Sequence, residues 1–348
     1  MDSKKSNNFL KRFSELGNMD YFRDKSVLVT GAAGFIGSHL VDALVDLGAI
    51  VRGTLHTSEP HEKNSKCEYL KVDLEKFEDC KSVTRNIDFV FMCAANSSGA
   101  AVIQETPLIH LTPNIVMNSQ MLSAAHENKV SKFCFISSNT VYPETDFPVQ
   151  ESDSTGVFFD KYFIVGWMKK FSEIMCEMYS TKIVDPMQCV VIRPGNLYGP
   201  RDKFKKSESK VIAALIRRAF EEEDPFEVWG DGQDVKDFLF IEDFIFGLLL
   251  VFSKTSHFNT YNVASGKPIK VKEVLEKILN LTNQQRIKVI YDSSKPTMLP
   301  VRLISIDKIK RDTGWTPSTG IDSGLEKTYE WYKSYFSFFN PERLPYDN

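Results

Sequence analysis

Residues 26–40 read Ser26-Val27-Leu28-Val29-Thr30-Gly31-Ala32-Ala33-Gly34-Phe35-Ile36-Gly37-Ser38-His39-Leu40. The short apolar run at its start predicts a buried strand. Ile36, Leu40, Leu44 and Leu47 then recur at helical spacing until Gly48 closes the pattern. Three glycines stand between strand and helix. In that setting Gly31 permits a tight turn, Gly34 lets backbone N–H groups approach a pyrophosphate, and Gly37 lets the helix pack against the strand. The pattern predicts a dinucleotide cradle. A glycine-rich structural turn is the plainer alternative.

Further strands are predicted at 49–55, 69–74, 88–95, 132–138 and 189–193, with helical segments between most of them. This alternation predicts an α/β fold, a doubly wound parallel sheet of the Rossmann type. Gly31, Asp73, Ala95, Ser138 and Asn196 all fall at or just past strand ends, where ligands bind in such sheets. Residues 1–24 are polar and read as an N-terminal extension, a short helix or a frayed end. Residues 25–195 form the dinucleotide-binding domain, with a return segment near 258–285. Residues 196–257 and 286–348 form a smaller C-terminal α/β substrate lobe. Within it, 226–229 and 236–239 read as short strands around the turn Gly230-Asp231-Gly232, and Asp243 reads as the cap of a helix running to Phe252.

The chain has 348 residues, 42% hydrophobic and 26% charged, with a formal net charge of −3. That balance leaves no footprint for nucleic acid. No apolar run reaches a membrane span, and no signal-peptide core is present. The six cysteines show no C-x-x-C spacing and read as buried free thiols in a reducing cytoplasm. No metal-ligand pattern appears.

From residue 25 to residue 332 the chain resembles the extended short-chain dehydrogenase/reductases that act on nucleotide sugars, the NAD-dependent epimerase/dehydratase family. The carriers are residues 30–37, Val72-Asp73-Leu74, Cys93-Ala94-Ala95, Ser137-Ser138-Asn139-Thr140-Val141-Tyr142-Pro143, Arg193-Pro194-Gly195-Asn196-Leu197-Tyr198-Gly199-Pro200, Trp229-Gly230-Asp231-Gly232, Lys236-Asp237-Phe238 and Thr313-Gly314-Trp315-Thr316-Pro317. Residues 196–204 and 209–215 are most similar to GDP-fucose synthases.

The resemblance implies roles. Gly31, Ala33, Gly34, Phe35, Ile36 and Gly37 would hold the pyrophosphate. Asp73 and Leu74 would lie at the adenine, Ala94 and Ala95 along the cofactor, and Asn114 would order that wall. Ser138 would hydrogen-bond the reacting sugar oxygen. Ser97, Ser98, Asn139, Thr140, Asn196, Arg201, Lys210, Val211, Trp229, Lys236 and Arg302 would face the nucleotide sugar. The helices at 114–127 and 163–179 resemble those that pair in family homodimers. Polysaccharide biosynthesis is the expected setting.

One position departs from the family. Its signature Y-x-x-x-K puts a tyrosine and a lysine on one helix face. The register here makes Lys169 the lysine and Val165 the tyrosine position. Valine cannot transfer a proton. Tyr162 could supply the phenol from the preceding loop, the proton could come from Ser138, water or the substrate, or activity could be reduced by nature or by design. Asn139 and Thr140 cannot act as the acid–base pair of sugar dehydratases. Thr140 and Lys210 replace the Cys and His with which GDP-fucose synthases epimerise. These absences leave oxidation or reduction at one carbon, as in a 4-ketoreductase or 4-epimerase. A binding relative without turnover, or a dehydratase or decarboxylase, are the alternatives. At the second strand end, residues 53–57 carry no acid for a ribose 2′-hydroxyl. Thr54, His56 and Thr57 could accept a 2′-phosphate, so the cofactor is NADP or NAD, with NADP favoured.

Overall fold

The computed structural model describes residues 3–96, 106–295 and 297–339. Seven parallel strands form its main sheet: β1 (Ser26–Val29), β2 (Ile50–Leu55), β3 (Cys67–Lys71), β4 (Phe89–Met92), β5 (Lys132–Ile136), β6 (Gln188–Pro194) and β10 (Asn259–Val263). Their order is β10-β6-β5-β4-β1-β2-β3. The strand sequence reverses direction between β1 and β4, so a crevice opens there at the carboxyl ends.

Helices cover both faces. On one side lie α3 (Phe77–Val83), α4 (Thr112–Glu127) and α5 (Phe163–Thr181), over a core that includes Val90, Phe133, Phe135, Met121 and Val191. On the other lie α2 (Phe35–Asp46) and α7 (Ile241–Lys254), over Val27, Phe91, Val190 and Ile192. Helix α7 has eleven buried residues because it is sandwiched between sheet and outer helix. That outer helix is α1 (Ser3–Leu16). Phe13 and Phe22 are fully buried, and Phe13 meets Phe246 edge-to-face at 5.9 Å. Residues 1–24 were expected as an extension, either a short helix or a frayed end; the described part includes a helix, and it packs as a third layer. The polar composition concealed this, because only one stripe of the helix faces inward.

The smaller lobe holds α6 (Val211–Phe220), α8 (Val271–Leu281), α9 (Asp307–Thr313) and α10 (Ile321–Phe339) with β7 (Asn196–Tyr198), β8 (Phe226–Trp229), β9 (Val235–Phe240), β11 (Pro268–Lys270) and β12 (Val289–Asp292). Helix α9 lies apart from the rest, against α7 and β10 at the large sheet. Three differences from the sequence reading stand out. Helix α7, inside the expected lobe range, packs under the large sheet, while α8, inside the expected return segment, packs with α6; only β10 returns. Strands β8 and β9 are not a hairpin: β8 pairs with β12 and β9 with β7 and β11. Asp243 is not the helix cap, because β9 runs directly into α7 and Phe240 occupies that position. Asp243 instead accepts hydrogen bonds from Arg12 (3.3 Å), Ser318 Oγ (2.7 Å) and the Thr319 amide (2.7 Å), tying α1 and the segment before α10 to α7.

Candidate functional site

The glycine turn is built for close approach. Gly31 has φ +63°, and a Cβ there would sit 2.9 Å from the Ala94 Cα. A Cβ at Gly37 would sit 2.2 Å from the Gly31 carbonyl oxygen. Neither position tolerates a side chain without backbone movement. Two threonines hold the turn to its neighbours. The Gly31 amide donates to Thr54 Oγ1 on β2 (3.0 Å), and Thr30 Oγ1 accepts from the Cys93 and Ala94 amides after β4 (3.0 Å each). No side chain caps α2 at Gly34, so first-turn amides are left for an anion.

The turn opens on a cleft of about 1620 Å³ lined by Gly31, Ala33, Gly34, Phe35, His56, Asp73, Leu74, Ala94 and Ala95. These nine of the cofactor residues read from the sequence therefore line one cleft, with Gly37 beneath the turn and Ile36 following on α2, while Asn114 and Lys169, the lysine expected at the nicotinamide ribose, are not among its lining. Asp73 is braced by the Glu75 amide (3.0 Å). Buried Asn114 pins the wall beyond Ala95: its Oδ1 accepts the Asn96 amide (2.8 Å), and its Nδ2 donates to the carbonyls of Asn96 (2.9 Å) and His110 (2.7 Å). Ser97 and Ser98 lie outside the described residues. A cradle that a Cβ would fill, with an uncapped helix start beside it, fits a dinucleotide.

Past β5, Ser138 Oγ accepts the Thr140 amide (3.2 Å) and caps a short turn. Lys169, on α5, donates from Nζ to the Ile136 carbonyl (2.8 Å) and lies 5.0 Å from the Phe135 ring centre. Burial brings its ammonium down to about 8, against the opposing pull of Glu173 and Cys93. Val165 lies one helical turn before it, half-buried. Tyr162 does not join them. Burial pushes its phenol up to about 12, and its surroundings are Arg302, Leu299 and Asp234. Lys169 instead has Phe135, Cys93, Glu173 and Lys210 around it.

The expected substrate groups divide. Asn139 Nδ2 donates to the Pro194 carbonyl (3.0 Å) and Asn196 Nδ2 to the Asp237 carbonyl (3.1 Å), so both tie strand ends together. Thr140 Oγ1 is buried with no hydrogen-bond partner among the described residues. Lys210 and Val211 are exposed at the start of α6. Trp229 is exposed on β8 and donates to Glu227 (2.9 Å). Lys236 bonds the Leu299 carbonyl and pairs with Asp234 at 3.0 Å. Two arginines are committed inside the protein. Buried Arg302 donates to the carbonyls of Pro143 (2.9 Å) and Tyr142 (3.2 Å). Arg201 reaches Asp42 (2.8 Å) and Glu62 (3.3 Å), beside α2 and the β2 end.

Two features escaped the sequence reading. Behind Ser138, Glu173 forms a buried bidentate pair with Arg193 (2.8 and 2.6 Å) and accepts Ser137 Oγ (2.5 Å). The i,i+4 spacing from Lys169 to Glu173 was its only signal. Asp202 is the other: a buried cleft carboxyl that burial raises to about 6, opposed by Lys210 and Lys203. Among the described residues there is no group of His, Cys, Asp or Glu fit to hold a metal, and no helix long and apolar enough to cross a membrane.

Fold and site define a dinucleotide-binding α/β protein with its site at the carboxyl ends of a parallel sheet. Residues 27–264 match the NAD dependent epimerase/dehydratase family, and the chain belongs to it. A GDP-mannose 3,5-epimerase of Oryza sativa subsp. indica is 31% identical over 330 residues, spanning 92% of this chain and 85% of the relative. A GDP-L-fucose synthase of Sinorhizobium fredii is 26% identical, spanning 89% and 96%. A UDP-glucose 4-epimerase of Thermotoga maritima, solved with UDP-glucose, superposes with a TM-score of 0.80 at 26% identity, over 89% of this chain and 99% of that one.

Proposed function

We propose that the protein is an NAD(P)-dependent oxidoreductase acting at one ring carbon of a GDP-sugar, as a 4-ketoreductase or 4-epimerase. The observation that carries this is the placement of the glycine cradle past β1 and of Ser138 and Lys169 at the end of β5, two strands along the same carboxyl edge of the sheet. GDP-sugar relatives support the nucleotide. When bound, the nicotinamide supplies a reversible hydride acceptor. The turn 31–37, Asp73, Leu74, Ala94 and Ala95 would hold it, and Asn114 keeps their wall in place.

The chain's own residues supply the rest. Ser138 hydrogen-bonds the reacting sugar oxygen. Lys169 Nζ holds or receives the proton at that oxygen in place of the absent phenol, because its amine is partly neutral near physiological pH. Glu173 steadies the charged form of Lys169 from one turn further along α5. The half-buried helices α4 and α5 form a homodimer interface. The free thiols suit a reducing cytoplasm.

A nucleotide-sugar-binding relative without turnover is the second reading, favoured by Val165. Incubation with UDP-, GDP-, CDP- and dTDP-sugars plus each nicotinamide cofactor, followed by chromatography that separates epimers and mass spectrometry that reads oxidation or reduction, decides between them. A changed GDP-sugar supports the oxidoreductase. Unchanged sugars with tight cofactor and sugar binding support the second reading.

A further inference from the structure

The loop after Gly199 crosses from the small lobe to the nucleotide end of the large one. Arg201 anchors it, in left-handed backbone conformation (φ +65°), an uncommon state for a residue with a side chain. Its guanidinium reaches Asp42 and the Ser38 carbonyl on α2 and Glu62 beyond β2. The loop thus walls the same cleft as His56 and Thr57 at the β2 end. On the other flank His61 packs edge-on against Trp331 and Tyr335 of α10.

Charge along this wall largely cancels in pairs. Glu59 pairs with Lys63 at 2.9 Å, Glu62 with Arg201 at 3.3 Å, and Glu208 with Lys203 at 3.1 Å. Lys205 and Lys206 also line the cleft, and neither has an ionic partner among the described residues. With no acid within β2 or at residues 56–58, this end of the cleft repels no phosphate from β2 itself.

We propose that Lys205 and Lys206, carried across from the small lobe, recognise the 2′-phosphate of a dinucleotide whose adenosine end lies at His56 and Thr57. The inference rests on the reading of the cradle as a nicotinamide-dinucleotide site. It makes cofactor choice a property of both lobes rather than of the β2 end alone. A tenfold preference corresponds to about 1.4 kcal/mol of binding free energy.

The test is fluorescence titration of the full chain with NADPH and NADH, with 2′,5′-ADP and 5′-AMP as competitors. Wild type is expected to bind NADPH about tenfold or more tightly than NADH, and 2′,5′-ADP more tightly than 5′-AMP. Lys205→Ala/Lys206→Ala should erase both preferences and leave NADH affinity unchanged. Lys205→Glu/Lys206→Glu should reverse them. Circular dichroism confirms that the exposed loop changes leave the fold intact. Equal affinity of wild type for the two cofactors overturns the inference while leaving the functional reading in place, and so does a preference that survives the double substitution. Failure of both cofactors to bind overturns the cradle reading itself.

Discussion

Under the proposed mechanism the proton chemistry concentrates at Lys169. With its ammonium at about 8 rather than the ordinary 10.5, the neutral amine dominates above that pH. Oxidation needs a base, so its rate should rise through about pH 8; reduction needs an acid, so its rate should fall there. Lys169→Arg, charged at all these values, should abolish the rising limb; a retained limb would assign the proton elsewhere. Glu173 raises the Lys169 value, so Glu173→Gln should move the limb to lower pH. The same change breaks the buried pair with Arg193 and should cost about 3–5 kcal/mol in unfolding free energy, read by urea titration. Val165→Tyr restores a phenol one turn from Lys169 and should raise turnover by about 10²-fold. Unchanged turnover would show that Lys169 alone suffices. That Val165 lies one turn before Lys169 was legible in the sequence, because helix register fixes which residue lies one turn away. The Tyr162 alternative was not decidable there, because its direction depends on packing against Leu299 and Arg302.

At the scale of elements, local signals read well and long-range ones poorly. The turn 31–37 was legible because glycine spacing reports backbone geometry directly. Arg201 and Arg302 were not, because their partners lie 159 positions or more away in sequence for Asp42, Pro143 and Tyr142. The packing of helix α1 hid for the same reason, its buried stripe being completed only by α7. Two substitutions test these elements. Gly37→Ala forces a methyl to within 2.2 Å of the Gly31 oxygen. It should cost about 1–3 kcal/mol of stability and weaken dinucleotide binding, measured by thermal denaturation and cofactor fluorescence. Phe13→Ala should cost about 3–5 kcal/mol with cofactor affinity retained in the folded fraction. A negligible cost would mean that α1 is dispensable to the fold.

For the whole molecule, the two lobes are joined by side chains that cross the cleft, and among the described residues several large apolar side chains near α4 and along α5 are exposed. Along α5, Phe163, Trp167, Phe171 and Met178 are all exposed, Trp167 and Phe171 by 43% and 44%. Leu108 and Ile109 are exposed too, in the turn leading into α4, which packs beside α5. Exposed apolar side chains of this kind suit the proposed association of two copies, for which a two-fold dimer is the common arrangement. Charges at its centre would have to be desolvated on association. Trp167→Glu/Phe171→Glu should therefore convert a dimer to a monomer in analytical ultracentrifugation, with little loss of monomer stability because both side chains already meet water. The helices of that face carry Lys169 on their inner side, so the monomeric variant should also lose turnover more than cofactor affinity. A wild-type chain that sediments as a monomer at micromolar concentration would refute the dimer and leave this stripe for a different partner.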